Sequence, residues 1–360
     1  MYILDDINRI KKLDKSNMIG SIDLLYKQIE QALAETKKIK IPADYKEVDK
    51  VVVNGMGGSG LGTHIIQSLF FKQLKVSLGN IHGYDLPGII DKNTLYIISS
   101  YSGSTEEPLS TVREAKKRGA KLLGITTGGK LGELIEEGVM PGYLFKPKYN
   151  ICDQPRIGIG YSVAGILGLL WQSGVIKASS NGMEKVVLFL KKNRKQFNAQ
   201  KTAKSNLAKQ IAGEIKGKIP VIIIADFLAG NAHTMANQIN ENAKNFSSYY
   251  VVSELNHHLM EGLSNPKSNS RNLKFIFIES DLYHKKNKIR IEITKNVVRK
   301  NKIGYVSYKL EAKTRLEQSF EMLLLGSYVS FYLAILNGVN PAPIPWVDYF
   351  KEQLAINSKQ

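Results

Sequence analysis

From residue 51 onward the chain alternates short continuous apolar runs with stretches of helical period. The runs at 51–54, 75–78, 94–99, 121–126 and 142–145 read as strands, with helices near 60–71 and 106–118 between them. Strands that are apolar at every position belong to parallel sheets covered on both faces. Gln154-Pro155-Arg156-Ile157-Gly158 opens an apolar helix reaching about residue 172. The order then repeats: a strand at 219–224, a turn at 228–231, a helix at 232–244, strands near 248–252, 273–278 and 303–308, and a helix at 286–300. A long apolar helix, 315–337, is followed by Asn340-Pro341-Ala342-Pro343-Ile344-Pro345 and a short terminal helix carrying Lys351. Residues 1–46 place Ile7, Ile10, Met18, Ile22, Leu25, Ile29 and Leu33 at helical spacing, without visible chemistry. The pattern predicts an α/β protein with mainly parallel sheets flanked by helices. Its parts are an N-terminal helical segment (1–46), a first domain (47–173), a lysine-rich helical bridge (174–205) and a second domain (206–360).

Two loops in this frame can carry an anion. Val51-Val52-Val53-Asn54-Gly55-Met56-Gly57-Gly58-Ser59-Gly60 is a strand running into a glycine cluster that opens a helix. Glycines let the backbone approach a ligand, and the free N–H groups at a helix start favour negative charge. No Gly-Lys-Ser/Thr follows, so this is no P-loop, and the glycine spacing is no clean dinucleotide fingerprint. The second loop, Ser100-Tyr101-Ser102-Gly103-Ser104-Thr105-Glu106-Glu107, brings three hydroxyls, Ser100, Ser102 and Thr105, to the end of a strand. Either loop alone reads as a packing corner or a capped turn. Two in successive strand–helix units read as one shared anion pocket. Thr126-Thr127-Gly128-Gly129-Lys130-Leu131 is a third loop at a strand end.

Composition narrows the field. With 360 residues and 43% apolar content, two domains with sizeable cores fit. No apolar run reads as a membrane span and no secretory pattern opens the chain. A single cysteine, Cys152, leaves no disulfide framework and lacks zinc-site companions, so a cytoplasmic protein is expected. The net charge of +18 comes from scattered lysines without any nucleic-acid-binding motif, which reads as a solvated basic surface.

Three positions stand out chemically. Arg156 sits just ahead of a greasy helix and needs a partner, either a structural carboxylate or a ligand anion. Glu241, in Gln238-Ile239-Asn240-Glu241-Asn242-Ala243-Lys244, is surrounded by amides that could orient it and bind sugar hydroxyls. His257, sixteen residues after Glu241, lies in Glu254-Leu255-Asn256-His257-His258, a histidine pair near a strand end. A carboxylate base and a histidine suit proton transfers on a sugar.

These segments together resemble the SIS-domain (sugar isomerase) superfamily, and within it the bifunctional phosphoglucose/phosphomannose isomerases. The resemblance rests on GMGGSG at 55–60, SYSGSTEE at 100–107, TTGGKL at 126–131, QPR at 154–156, NENAK at 240–244, ELNH at 254–257 and YLAILNGVNPAPI at 332–344. It implies two SIS-type three-layer domains and an aldose–ketose isomerase acting on glucose-6-phosphate, mannose-6-phosphate and fructose-6-phosphate. It further implies that Gly58, Ser59, Ser100, Ser102 and Thr105 hold the substrate phosphate. Glu241 would shuttle the proton between C1 and C2, and Arg156 would stabilise the cis-enediolate. His257, donated by the partner of a homodimer, and Lys351 would open the sugar ring. No metal or organic cofactor, no nucleic acid and no membrane is implied. Asn340-Pro341-Ala342-Pro343-Ile344 departs from the family's Asp-Pro-Thr-Pro-Val, Ser104 from its Asn and His258 from its Asn. An isomerase with one of the two activities and a non-catalytic sugar-phosphate-binding regulator are the competing readings.

Overall fold

A computed structural model describes residues 2–177 and 179–357. It contains two parallel sheets. The first has strands β1 (Lys50–Gly55), β2 (Ser77–Ile81), β3 (Thr94–Ser99), β4 (Lys121–Thr126) and β5 (Gly142–Leu144), in the order β2-β1-β3-β4-β5. The second has β6 (Ile219–Ala225), β7 (Ser248–Val252), β8 (Leu273–Glu279) and β9 (Gly304–Lys309), in the order β7-β6-β8-β9. Every pairing in both sheets is parallel.

Parallel pairing explains why these strands read as unbroken apolar runs: both faces are covered. Along β1 and β3, Val51, Val53, Leu95 and Ile97 enter one hydrophobic cluster, while Val52, Tyr96 and Ile98 enter another on the opposite face. The larger cluster continues through Ile222–Ile224 and Phe275–Ile278 of the second sheet, so one core spans both halves. The halves meet where the helix Gly58–Leu69 packs on the helix Ala229–Ala243. The approach is close enough that a Cβ on Gly230 would lie 2.3 Å from the His64 carbonyl carbon, which only glycine avoids.

Several boundaries differ from expectation for local reasons. The stretch 1–46 is three helices, Ile7–Leu13, Met18–Asp23 and Leu25–Thr36, flanked by short 3₁₀ turns. Asp14 makes the first break by accepting the backbone N–H groups of Met18 (2.7 Å) and Ile19 (3.0 Å). The helix expected over 106–118 is two, Glu106–Ser110 and Val112–Lys117. Between them, the Thr111 hydroxyl bonds the Pro108 carbonyl and Tyr96 Oη, both at 2.8 Å, competing with helical bonding. The helix after Arg156 starts only at Ile159, leaving Arg156 in a turn closed by Gln154. The helix Arg315–Leu336 has the length and hydropathy of a membrane span, contrary to the sequence reading. Its apolar window is wholly buried against other helices of the protein, so it is a core helix here.

Candidate active site

The strand order fixes where a ligand can sit. The chain leaves β1 for β2 on one side and returns past it to β3, which opens a crevice at the carboxyl ends of β1 and β3. The glycine loop and the hydroxyl loop both project from those ends. Gly57 has φ 49°, and a Cβ on Gly58 would come within 2.9 Å of Arg156 N and Pro155 C. The glycine loop is therefore pressed against the turn that carries Arg156. Ser59 Oγ accepts the Tyr101 N–H at 2.9 Å, which keeps its own proton available to donate.

In the second loop, the buried Ser100 Oγ accepts Gly103 N–H at 3.0 Å and pairs with Thr105 Oγ1 at 2.8 Å. Those two hydroxyls brace each other. Ser102 is exposed, and its Oγ accepts the Ser104 N–H at 3.3 Å. The third loop supports the second: Thr127 N–H and Oγ1 reach the Tyr101 carbonyl at 2.9 and 2.8 Å. Gly103, at φ 70°, lies so close to Gly128 that a Cβ would meet its carbonyl oxygen at 1.7 Å.

Arg156 is 1% exposed and all five of its N–H donors are engaged. Nε donates to Asn242 Oδ1 at 2.5 Å, and Nη1 to Gln154 Oε1 at 2.8 Å and Glu241 Oε2 at 3.3 Å. Nη2 donates to the carbonyls of Pro341 (2.9 Å) and Ala342 (2.8 Å). The partner question thus resolves on the protein side: one carboxylate, two amides and two backbone dipoles. Glu241 occupies the last turns of the helix Ala229–Ala243 with its side chain 29% exposed. Burial pushes its carboxyl up, against the pull of Arg156, Lys244 and Lys351. The exposed Lys351, on the helix Pro345–Asn357, is thus close enough to act on Glu241.

The amides around Glu241 do something other than expected. Asn242 faces Arg156 and Ser330, Gln238 donates to the Arg156 carbonyl and Ser327 Oγ, and Asn240 pairs with Ser247. They hold the arginine and the fold, and none bonds the carboxylate. His257 is exposed on the 3₁₀ turn after β7 and has no hydrogen bond or ion pair among the described residues. Within the protomer, nothing links it to Glu241 or to the two loops. Its neighbour His258 pairs with Glu254 at 2.7 Å.

Sequence reasoning passed over two further groups. Gln28, fully buried in the helix Leu25–Thr36, donates to the carbonyls of Tyr149 and Ile157 and accepts Gly160 N–H, gripping the loop around Arg156. His64 and His233 share a 2.7 Å Nδ1···Nδ1 contact at the seam between the halves, and His82 Nδ1 bonds the Gly55 carbonyl at 2.8 Å. Burial and the two neighbouring histidines bring His64 down to about 4, so it is neutral at pH 7. Among the described residues, no group of three or more His, Cys, Asp or Glu side chains is placed to hold a metal ion.

The second sheet has the corresponding crevice, between β6 and β8, and it is furnished differently. A cleft of about 760 Å³ opens there, lined by Ser68, Gly230, Asp226 and His284 among others. It lies at the opposite ends of the two contacting helices from Gly58 and Glu241. Asp226 accepts His284 N–H and Asn287 Nδ2, both at 2.7 Å, so a protein carboxylate sits at this crevice.

Comparison with known proteins bears on the family and the fold. Residues 204–354 match the family described as the bacterial phospho-glucose isomerase C-terminal SIS domain. A bifunctional phosphoglucose/phosphomannose isomerase of Caldicellulosiruptor bescii is 33% identical over 94% of this chain and 99% of its own length. One of Aquifex aeolicus is 30% identical over 92% and 98%. Among solved structures, a hypothetical protein from Thermus thermophilus superposes with a TM-score of 0.74 at 14% identity, covering 98% of this chain and 94% of its own.

Proposed function

The chain belongs to the bifunctional phosphoglucose/phosphomannose isomerases, an enzyme family interconverting sugar phosphates, and from that premise we propose how its own residues perform the reaction. The substrate phosphate rests in the crevice between β1 and β3, on the Gly58–Ser59 helix start and the hydroxyls of Ser100, Ser102 and Thr105. Glu241 takes the proton from C2 of the open-chain aldose and returns it to C1. The observation that carries this reading is the 3.3 Å pair between Arg156 Nη1 and Glu241 Oε2, on the same turn that Gly58 packs against. Anchor and base are thereby fixed to one another.

The full engagement of Arg156 shapes the mechanism. When Glu241 takes up the proton, its negative charge passes to the enediolate. The Nη1 donor that pointed at the carboxylate then turns to the new oxyanion, so stabilisation follows the charge as it forms. Raising the Glu241 carboxyl by burial brings base and carbon acid closer in strength, which favours proton transfer. Lys351 and a histidine open the ring beforehand. His257, exposed and uncommitted, serves the site of a second subunit in this reading, in a cytoplasmic homodimer.

Assayed in EDTA with each aldose-6-phosphate, the protein should form fructose-6-phosphate from both. Mannose-6-phosphate is expected to be the slower substrate, because Ala342, whose carbonyl holds Arg156, stands where the family carries a hydroxyl. A protein that binds both sugars and converts neither would be a regulator instead.

Sharing of the site is tested by complementation. Glu241→Gln and His257→Ala, each nearly inactive, are unfolded together and refolded as a mixture. Random pairing makes about half the dimers mixed. If His257 serves its partner, a mixed dimer has one intact site, and about a quarter of wild-type activity returns. A mixture that stays inactive, with mixed dimers demonstrated, assigns His257 to its own subunit.

A further inference from the structure

The helix Ala229–Ala243 ends on Lys244, whose backbone turns left-handed at φ 51°. Its Nζ reaches three carbonyls, those of Asn242 (3.3 Å), Asn340 (2.9 Å) and Pro341 (3.0 Å). The Pro341 carbonyl also accepts Arg156 Nη2 at 2.9 Å, so two cations share one oxygen. Among the described residues no carboxylate forms an ion pair with Lys244, although the residue is exposed. A long cation that stays beside a like charge and spends its hydrogen bonds on three backbone dipoles holds that place for what the dipoles carry. Two of the three, those of Asn340 and Pro341, belong to the segment that precedes the helix bearing Lys351.

We propose that Lys244 is a positioning residue for the isomerisation: as an ammonium it clips the Asn340 and Pro341 carbonyls, so that the Pro341–Ala342 segment holds Arg156 against Glu241 and the root of the Lys351 helix is fixed. The inference rests on the roles given above to Glu241 and Arg156. The charged groups facing Lys244 are Arg156 from the 154–156 turn and Glu241 from its own helix. Asp348 and Lys351, on the terminal helix, act on those two in turn. Desolvation and the Arg156 charge bring Lys244 down to about 8. The sign follows: above that pH the group is neutral, has two hydrogens for three carbonyls, and the clip loosens.

The test compares the pH dependence of kcat in wild type, Lys244→Arg and Lys244→Met, with Glu241→Gln alongside. Wild type should lose kcat on an alkaline limb centred near 8. Lys244→Arg, charged throughout, should keep most of kcat and lose that limb. Lys244→Met should lower kcat about 10²-fold at every pH, with KM little changed, since misplacement rather than lost binding is the defect. Unaltered kcat and limb in Lys244→Met overturns the clip. So does a Lys244→Arg variant that loses as much as Lys244→Met, because then the shape of the side chain matters and its charge does not. An active Glu241→Gln would instead overturn the assignment of the base, which keeps the two failures distinct.

Discussion

Glu241→Gln should lower turnover of glucose-6-phosphate by about 10²–10⁴-fold, the usual contribution of a positioned acid–base group. The substitution removes the proton acceptor and little else. A glutamine Oε1 can still accept from Arg156 Nη1, and the neighbouring amides, which bond Arg156, Ser247 and Ser327, are untouched. Sugar-phosphate binding, read by calorimetry, should therefore persist. The pH profile supplies a second readout. A base works only when ionised, and burial raises the Glu241 carboxyl. The acidic limb of kcat should thus lie above the ordinary glutamate range, and it should vanish in whatever residual activity the variant keeps. Near-full turnover would place the base elsewhere.

Arg156→Leu should be costly in stability as well as rate. Removing one partner of a buried ionic cluster typically destabilises by about 3–5 kcal/mol, because the groups left behind are dehydrated and unpaired. Here they are the carbonyls of Pro341 and Ala342, the Asn242 and Gln154 oxygens, and the Glu241 carboxylate. For a chain of this length that range corresponds to a fall in Tm of about 4–7 °C. Lysine should rescue little, since one ammonium with three donors cannot span five acceptors arranged around a planar fork. Scanning calorimetry of both variants checks this. An Arg156→Leu protein with wild-type Tm would mean that the acceptors find water or other donors at no cost.

Much of the architecture was legible because parallel strands announce themselves. Val51–Val53 and Leu95–Ile98 are buried on both faces, so nothing polar interrupts them. β2 was misplaced by about two residues because it buries only Leu78 fully and offers little apolar signal. At the site, Arg156 was conspicuous by its position before an apolar helix, but four of its five acceptors lie 85 to 186 residues further along the chain. No local pattern encodes such a pairing. The amides were seen and misassigned. Gln238 and Asn242 are four apart on one helix face, and that face carries Met235 and Ile239 into the core, a cue that they point inward. Gln28 gave the same cue amid Leu25, Ile29 and Ala32. A polar side chain on an apolar stripe is there to satisfy something buried, though sequence alone does not say what.

The closure of Arg156 by the carbonyls of Pro341 and Ala342 has a consequence for how the enzyme is made. During synthesis those acceptors are added 185 and 186 residues after the arginine, a delay of roughly 10–40 s at ~5–20 residues per second. Throughout that interval the first sheet and its glycine loop can already have formed, while the two Nη2 donors still lack their carbonyls. The first half therefore waits with a partly hydrated arginine beside the crevice between β1 and β3. On the proposed mechanism, chemistry waits until the closing loop and the helix behind it have left the ribosome, so a chain cut short before residue 341 is expected to keep the crevice and show no turnover.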